Sequence, residues 1–133
     1  MLARSIRKAS SLISLIAGLA SGSVLACEYS VAEFVVVDLE VRELTIAGME
    51  ERLSFLLSDA GGEQAYAQDA NVQSAIKAAY AAQGCHPLGH HQFAAKNAEQ
   101  IADYYVNNQL AAGVLNDITD RFEAVSAQLS QFQ

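Results

Sequence analysis

The fold of this chain is decided by residues 101–129, IADYYVNNQLAAGVLNDITDRFEAVSAQL. Apart from one gap across Asn108, apolar residues recur there at steps of three or four, which places them on one face of an α-helix. The pattern predicts a helix over residues 91–130, on the order of 60 Å long, with a bend or split at Asn107 and Asn108 or at Gly113. Its predicted buried face comprises Ile101, Tyr105, Ala112, Leu115, Ile118, Phe122, Val125 and Leu129.

Helix-breaking residues in two places separate this segment from two earlier ones. Residues 59–62 (DAGG) form the first break, and residues 84–89 (GCHPLG), which contain the only proline, form the second. Between them, residues 64–83 are rich in alanine and fit a short amphipathic helix. An Asp-Ala-Asn sequence that begins at Asp69 favours the start of this helix, because Asp and Asn cap helices well, and Gly84 favours its end.

The first segment contains residues 33–42, EFVVVDLEVR, which fit two structures. Alternation favours a strand, through Val35, Val37, Leu39 and Val41. Helical spacing is also present, supported by the i,i+4 pair of Asp38 and Arg42, with an apolar face of Phe34, Val37, Val41 and Leu44. No other segment has a strand pattern, and a lone strand leaves its backbone groups unpaired. We therefore expect a helix over residues 29–58, with a break allowed at Gly48.

Three helical segments predict an all-α domain, a small antiparallel bundle of three helices or of four if the last helix splits. The domain is expected to cover residues 27–133, because residues 1–26 have the pattern of a signal peptide. Three basic residues open this leader, an apolar run follows over residues 12–20, and the leader ends on Val-Leu-Ala. The run is too short to span a bilayer well, so we expect cleavage and a periplasmic or secreted protein.

The charge of the mature domain excludes several partners. Removing 26 of the 133 residues leaves 107, with five basic against fifteen acidic residues and a formal charge of −10. Such a surface repels phosphate backbones and anionic lipid headgroups, so we expect neither nucleic acid nor a membrane surface as the partner. Cationic partners and metal ions are compatible with this charge.

The two cysteines, Cys27 and Cys85, allow two principal chemistries. In an oxidising compartment an even number of cysteines favours a bridge, which would close a loop of about 58 residues and stabilise the fold by roughly 4 kcal/mol. Alternatively, Cys27 follows Val-Leu-Ala as in the lipid-attachment motif of lipoproteins, which would make it a lipid anchor. Leu25 is bulky where that motif has a small residue. The bridge is the favoured prediction, and two free thiols are the third alternative.

All three histidines lie in residues 85–91, CHPLGHH, beside one of the cysteines. Imidazoles bind divalent metals, so His86, His90 and His91 are candidate ligands of a metal ion. Metal motifs usually show two spaced pairs of ligands, and here only this loop exists. The alternative is a polar turn with an oxidised cysteine and histidines near the start of a helix.

Residues 44–54, LTIAGMEERLS, resemble a segment, INLAGRQRMLS, of a known domain family. The family is the N-terminal helical sensor domain of pilus chemotaxis transducers and nitrate/nitrite sensor kinases, and the identical positions are Ala47, Gly48, Leu53 and Ser54. The resemblance implies an extracytoplasmic helical bundle. The two arginines that bind the anion in the nitrate sensors fall here on Met49 and Glu51, so nitrate binding is not expected to carry over.

Motifs for covalent and phosphate chemistry are missing from the sequence. It contains neither a Gly-x-Ser-x-Gly elbow nor a phosphate-binding glycine loop. The favoured hypothesis is an exported, non-enzymatic helical-bundle protein that binds a protein partner or a small ligand in the cell envelope, without a cofactor. The alternative is a metal-binding envelope protein that uses the loop of Cys85, His86, His90 and His91.

Overall fold

The computed structural model describes residues 27–58 and 61–132, and the chain is all-α over those ranges. The described residues contain no strand, which confirms the helix predicted over residues 33–42 and makes the strand alternative wrong. The predicted signal peptide, residues 1–26, lies outside the described residues. The elements are α1 (Val31–Leu57), α2 (Gly61–Ala82), α3 (Pro87–Lys96), α4 (Ala98–Asn107), α5 (Gln109–Leu129) and a final 3-10 turn (Ser130–Phe132).

A capping box begins α1. The hydroxyl of Ser30 accepts a hydrogen bond from the backbone N–H of Glu33 at 3.1 Å, and the Glu33 carboxylate accepts one from the Ser30 N–H at 3.0 Å. The helix continues without interruption to Leu57, so the break allowed at Gly48 does not occur. The chain therefore provides one long central helix for the other elements to pack against.

The second helix packs antiparallel to α1. Glu51 accepts a hydrogen bond from Gln68 at 2.9 Å, and Arg52 lies 3.9 Å from Asp69, while Gly48 faces Val72. α1 ends at Leu57 and α2 begins at Gly61, so the break predicted over residues 59–62 separates two helices, but both glycines already belong to α2 and the start predicted near Asp69 is wrong. Glycine is tolerated in the first turn of a helix, where the backbone N–H groups have no intrahelical partner in any case.

Close packing of α1 on α2 at Gly48 gives a testable prediction. A Cβ at this position would overlap Val72, so Gly48→Ala should lower the free energy of unfolding by about 1–2 kcal/mol, because overpacking outweighs the helix propensity of alanine. Gly113→Ala is the control, because a Cβ there meets nothing within 4 Å. It should raise the free energy of unfolding by about 0.5–1 kcal/mol. Urea unfolding measures both, and an unchanged stability of Gly48→Ala would contradict the packing.

The last segment forms three helices instead of the single long one predicted over residues 91–130. The split predicted at Asn107 and Asn108 is confirmed, and a second one occurs at Asn97. The amide of Asn108 donates to the Tyr104 carbonyl at 2.7 Å, and the amide of Asn97 donates to the Phe93 carbonyl at 3.0 Å. Such side chains compete with the backbone for the carbonyls of the preceding turn, which explains both breaks.

The fifth helix runs parallel to α1, and the C-terminal end of α5 packs on the C-terminal end of α1. Leu53 of α1 forms a buried cluster with Val125 and Leu129. Nearer the start of both helices, the Arg121 guanidinium donates to Glu43 at 2.8 Å and to Glu50 at 2.6 Å. α1 thus contacts both other long helices, α2 in the antiparallel and α5 in the parallel direction.

A disulfide joins Cys27, ahead of α1, to Cys85, after α2, with their Cα atoms 5.2 Å apart. Gly84 makes the turn possible, since its φ of 68° is in the left-handed region that favours glycine. The predicted bridge is confirmed, and the Cys27 sulfur, bonded to Cys85, does not carry a lipid in this structure. Across residues 27–58 and 61–132, none of the helices combines the length and hydropathy needed to cross a membrane.

Candidate functional site

An open pocket of about 330 Å³ lies between α1 and α5. Tyr80 of α2 and His91 of α3 also border it. This volume is within the range of small-molecule sites in proteins, which combine apolar walls with a few polar groups. The apolar part of the lining comprises Val41, Ile46, Ile118 and Phe122.

Phe122 corrects the predicted buried face of the last helix. It was expected in the core with Ile118, Val125 and Leu129, which are indeed buried, but its side chain is 46% exposed. The reason is that α1 and α5 leave the pocket open at this level, so that the ring covers one edge of an opening instead of contacting another helix.

Two side chains of the pocket lining, Asp38 and Arg42, belong to a chain of three polar groups that continues to the buried His90. The Nε of Arg42 donates to Oδ2 of Asp38 at 2.7 Å, and the Nε2 of His90 donates to Oδ1 of the same carboxylate at 2.9 Å. Both oxygens of Asp38 are therefore engaged. The chain connects a guanidinium at the pocket to a histidine in the interior.

An aromatic cluster fixes the inner end of this chain. His90 is only 1% exposed, and its ring stacks on Phe34 with the centroids 4.3 Å apart. Tyr80 and Tyr29 lie at 5.0 and 5.8 Å from the same ring, and Phe93 stacks on Phe34 at 5.2 Å. With the imidazole enclosed on several sides, the position of the Asp38 carboxylate is set by packing as well as by hydrogen bonds.

Burial raises the pKa of the Asp38 carboxyl, but the hydrogen bonds from His90 and Arg42 and the charge of Arg42 oppose it, and the pKa is lowered overall from its ordinary value near 3.8. A carboxyl with a lower pKa in the folded than in the unfolded state stabilises the fold above the unfolded pKa. This contribution disappears as the pH falls through the folded pKa.

The pH dependence of stability should therefore involve Asp38. Between pH 7 and 3, the melting temperature of the wild type is expected to fall most steeply below about pH 4. Asp38→Asn should start from a lower melting temperature at pH 7 and show a smaller fall on acidification. Asp120→Asn, an exposed carboxylate on α5, is the control and should follow the wild type. Parallel curves for the wild type and Asp38→Asn would contradict the role given to this carboxylate.

The three histidines of the predicted metal site have different surroundings. The Nδ1 of His86 accepts a hydrogen bond from the Gly89 N–H at 3.3 Å and caps α3, His90 is buried on Asp38, and His91 is exposed at the pocket. In the part of the chain that the structure describes, no three His, Cys, Asp or Glu side chains are grouped so as to hold a metal ion. The metal site stays a prediction from the sequence.

The sequence does not predict this pocket. Local spacing predicts a helix-stabilising pair for Asp38 and Arg42 and a metal ligand for His90, whereas the contact between Asp38 and His90 joins residues 52 positions apart. The comparison of the chain with protein-family models, curated proteins and solved structures gave no match. The geometry of the pocket is therefore the basis for a function.

Proposed function

We propose that this is an exported, non-enzymatic binding protein that holds a small, largely apolar molecule in the pocket between α1 and α5. The observation that carries the proposal is the preformed pocket of about 330 Å³. At the roughly 30 Å³ that a water molecule occupies in the liquid, this space accommodates about ten non-hydrogen atoms. Its lining pairs apolar side chains with a few fixed polar groups, as small-molecule sites do.

Two observations support export. Disulfides persist in oxidising compartments outside the cytoplasm, and the chain has a bridge between Cys27 and Cys85. Residues 1–26 have the composition of a signal peptide. The intact mass of protein recovered from an exporting host should lack these residues and be about 2 Da below the reduced value, for the two hydrogens lost in forming the bridge. A mass that retains the leader contradicts export.

A sensor-type role agrees with the resemblance of residues 44–54 to helical sensor domains, which we propose as a distant kinship. This segment contributes Thr45 and Ile46 to the pocket lining. The positions of the anion-binding arginines are held by Met49, beside the buried cluster, and Glu51, which binds Gln68. The ligand of the proposed pocket would thus be recognised by other residues than in the nitrate sensors.

Ligand-observed NMR with uncharged one-ring aromatic and short aliphatic compounds tests the pocket. Thr119→Trp places a large side chain into the opening, and we expect it to weaken binding at least tenfold. Asp120→Trp, on the outer face of α5, is the matched control and should bind as the wild type does. Circular dichroism confirms that both variants are folded.

Two results would overturn the proposal. One is that neither these compounds nor their carboxylate analogues bind the wild type. The other is that Thr119→Trp binds the compounds as tightly as Asp120→Trp does, because binding would then take place elsewhere on the molecule.

A further inference from the structure

We infer that the molecule held in this pocket is a small monocarboxylate, and that the two terminal nitrogens of Arg42 bind its carboxylate. This inference rests on the proposed function, because it names the chemical class of the ligand for the same pocket. Three observations carry it: the hydrogen-bonding state of the pocket side chains, the pairing of Arg42 through its Nε alone, and the carboxylate partners of Arg121 in the same protein.

The two threonine hydroxyls at the pocket can offer a ligand only acceptor oxygens, because each has already donated its proton to a backbone carbonyl. The hydroxyl of Thr45 donates to the Val41 carbonyl at 2.8 Å, and that of Thr119 donates to the Leu115 carbonyl at 2.8 Å. A hydroxyl has a single proton, so neither threonine has a donor left for a ligand. Nor does Asp38 have an oxygen without a partner.

The Tyr80 hydroxyl and a neutral His91 ring, which also border the pocket, each offer one donor. Arg42 is the lining side chain that can offer two parallel donors. Its Nε is bound to Asp38, and within residues 27–58 and 61–132 no hydrogen bond engages either terminal nitrogen. The side chain is 52% exposed, at the opening of the pocket. A guanidinium whose Nε is occupied presents two parallel N–H groups at its end, which match the two oxygens of a carboxylate.

Asp38 and His90 act as positioning residues in this site. The buried imidazole holds one carboxylate oxygen, and the other holds the Nε of Arg42, so that the guanidinium is directed by a chain that begins in the aromatic cluster. A long side chain that is fixed in advance loses less entropy when it binds. The alternative, a guanidinium that only pairs with a carboxylate four residues earlier in the helix, needs no buried histidine behind that carboxylate.

Arg121 shows how a guanidinium of this protein is bound by carboxylates of the chain itself. One of its terminal nitrogens donates to both oxygens of Glu43 at 2.9 and 2.8 Å, and the other donates to Glu50 at 2.6 Å. Both terminal nitrogens of Arg121 are thus bound to carboxylates, whereas neither terminal nitrogen of Arg42, a residue of the pocket lining, makes a hydrogen bond within the described residues. The contrast favours an external carboxylate as the partner of Arg42.

The charge of the pocket and of the whole domain favours a ligand with one carboxylate over a ligand with several. The ion pair of Arg42 with Asp38 leaves little net charge at the pocket, and the formal charge of −10 on residues 27–133 repels anions at long range. Attraction is therefore confined to the short-range hydrogen bonds and the apolar contacts. An acid with one carboxylate and an apolar body, of the size of benzoate, fits both the polar and the apolar parts of the lining.

Benzoate, benzamide and benzyl alcohol are matched probes of this inference, since they share a ring and differ in the polar group. We expect benzoate to bind the exported protein at least about tenfold more tightly than benzyl alcohol, in line with the strength of a bidentate charged hydrogen bond. Arg42→Met should remove that advantage and leave the affinity for benzyl alcohol within about twofold. Arg42→Lys, which keeps the charge without the planar end, should restore part of the advantage. Lys77→Met on α2 is the control for the loss of a positive charge.

The outcomes separate this inference from the proposed function. If all three probes bind equally and Thr119→Trp abolishes binding, the pocket is a binding site and the carboxylate assignment is wrong. If the benzoate advantage survives in Arg42→Met, another residue binds the acid and the assignment to Arg42 is wrong. If none of the probes binds and the uncharged set also fails, the proposed function falls with the inference.

Discussion

Replacing Cys27 and Cys85 by serine should lower the free energy of unfolding by about 4 kcal/mol. The bridge spans 58 residues, and a crosslink across a loop of that length restricts the unfolded chain by about this amount. Each single variant should lose as much as the double variant, because either change removes the same bond. Denaturant unfolding of the three variants beside the wild type measures this.

Reduction of the wild type is the matched control for this result. A reducing agent should bring its unfolding midpoint down to that of the double serine variant, and it should leave the double variant unchanged. Because the bridge lies close in sequence to Tyr29 and His90 of the aromatic cluster, the near-ultraviolet dichroism of the tyrosines should also weaken. A double variant that unfolds at the wild-type midpoint would mean that the bridge is not formed in the folded protein.

Phe34→Ala is expected to have the second large effect, a loss of roughly 4 kcal/mol in the free energy of unfolding. The ring is buried and lies between the rings of His90 and Phe93, with centroids 4.3 and 5.2 Å away. Removing it leaves a cavity in the aromatic cluster and withdraws the support of the imidazole that holds Asp38. Urea unfolding measures the stability, and the benzoate affinity should fall as well.

Val36→Ala is the control for this prediction. Val36 lies two residues from Phe34 in the same helix and is 64% exposed, so the change should alter stability by less than about 0.5 kcal/mol. A loss below about 1 kcal/mol for Phe34→Ala would show that the aromatic cluster is not packed as described.

The helical class could be predicted from the sequence because it depends on local spacing. Over residues 33–42 the alternation of valines was compatible with a strand, and the absence of a second strand decided the matter correctly. The bridge followed from the number of cysteines and the predicted compartment. Of the two breaks in the last segment, the sequence predicts the one at Asn108, where the apolar spacing has a gap, but not the one at Asn97, which depends on a side-chain hydrogen bond that spacing does not reveal.

The candidate site could not be predicted, because its parts come together only in three dimensions. His90 is a core residue whose partner, Asp38, lies on α1. In the sequence, however, His90 stands beside a cysteine and two other histidines, and this pattern favours a metal ligand. Phe122 belongs to the apolar face by its spacing, and only the open pocket between α1 and α5 leaves it exposed. The spacing of apolar residues predicts which of them share a helix face, whereas the placement of the helices decides which of them stay accessible to a ligand.

The most direct test of the central claim is a ¹H–¹⁵N chemical-shift map of the protein during titration with benzoate. The account predicts the largest changes at the Nε–H of Arg42 and at the backbone amides of Thr119 and Phe122, with no change at the exposed Tyr66 on α2. Changes that centre on residues away from α1 and α5, or a spectrum that benzoate leaves unchanged, would contradict it.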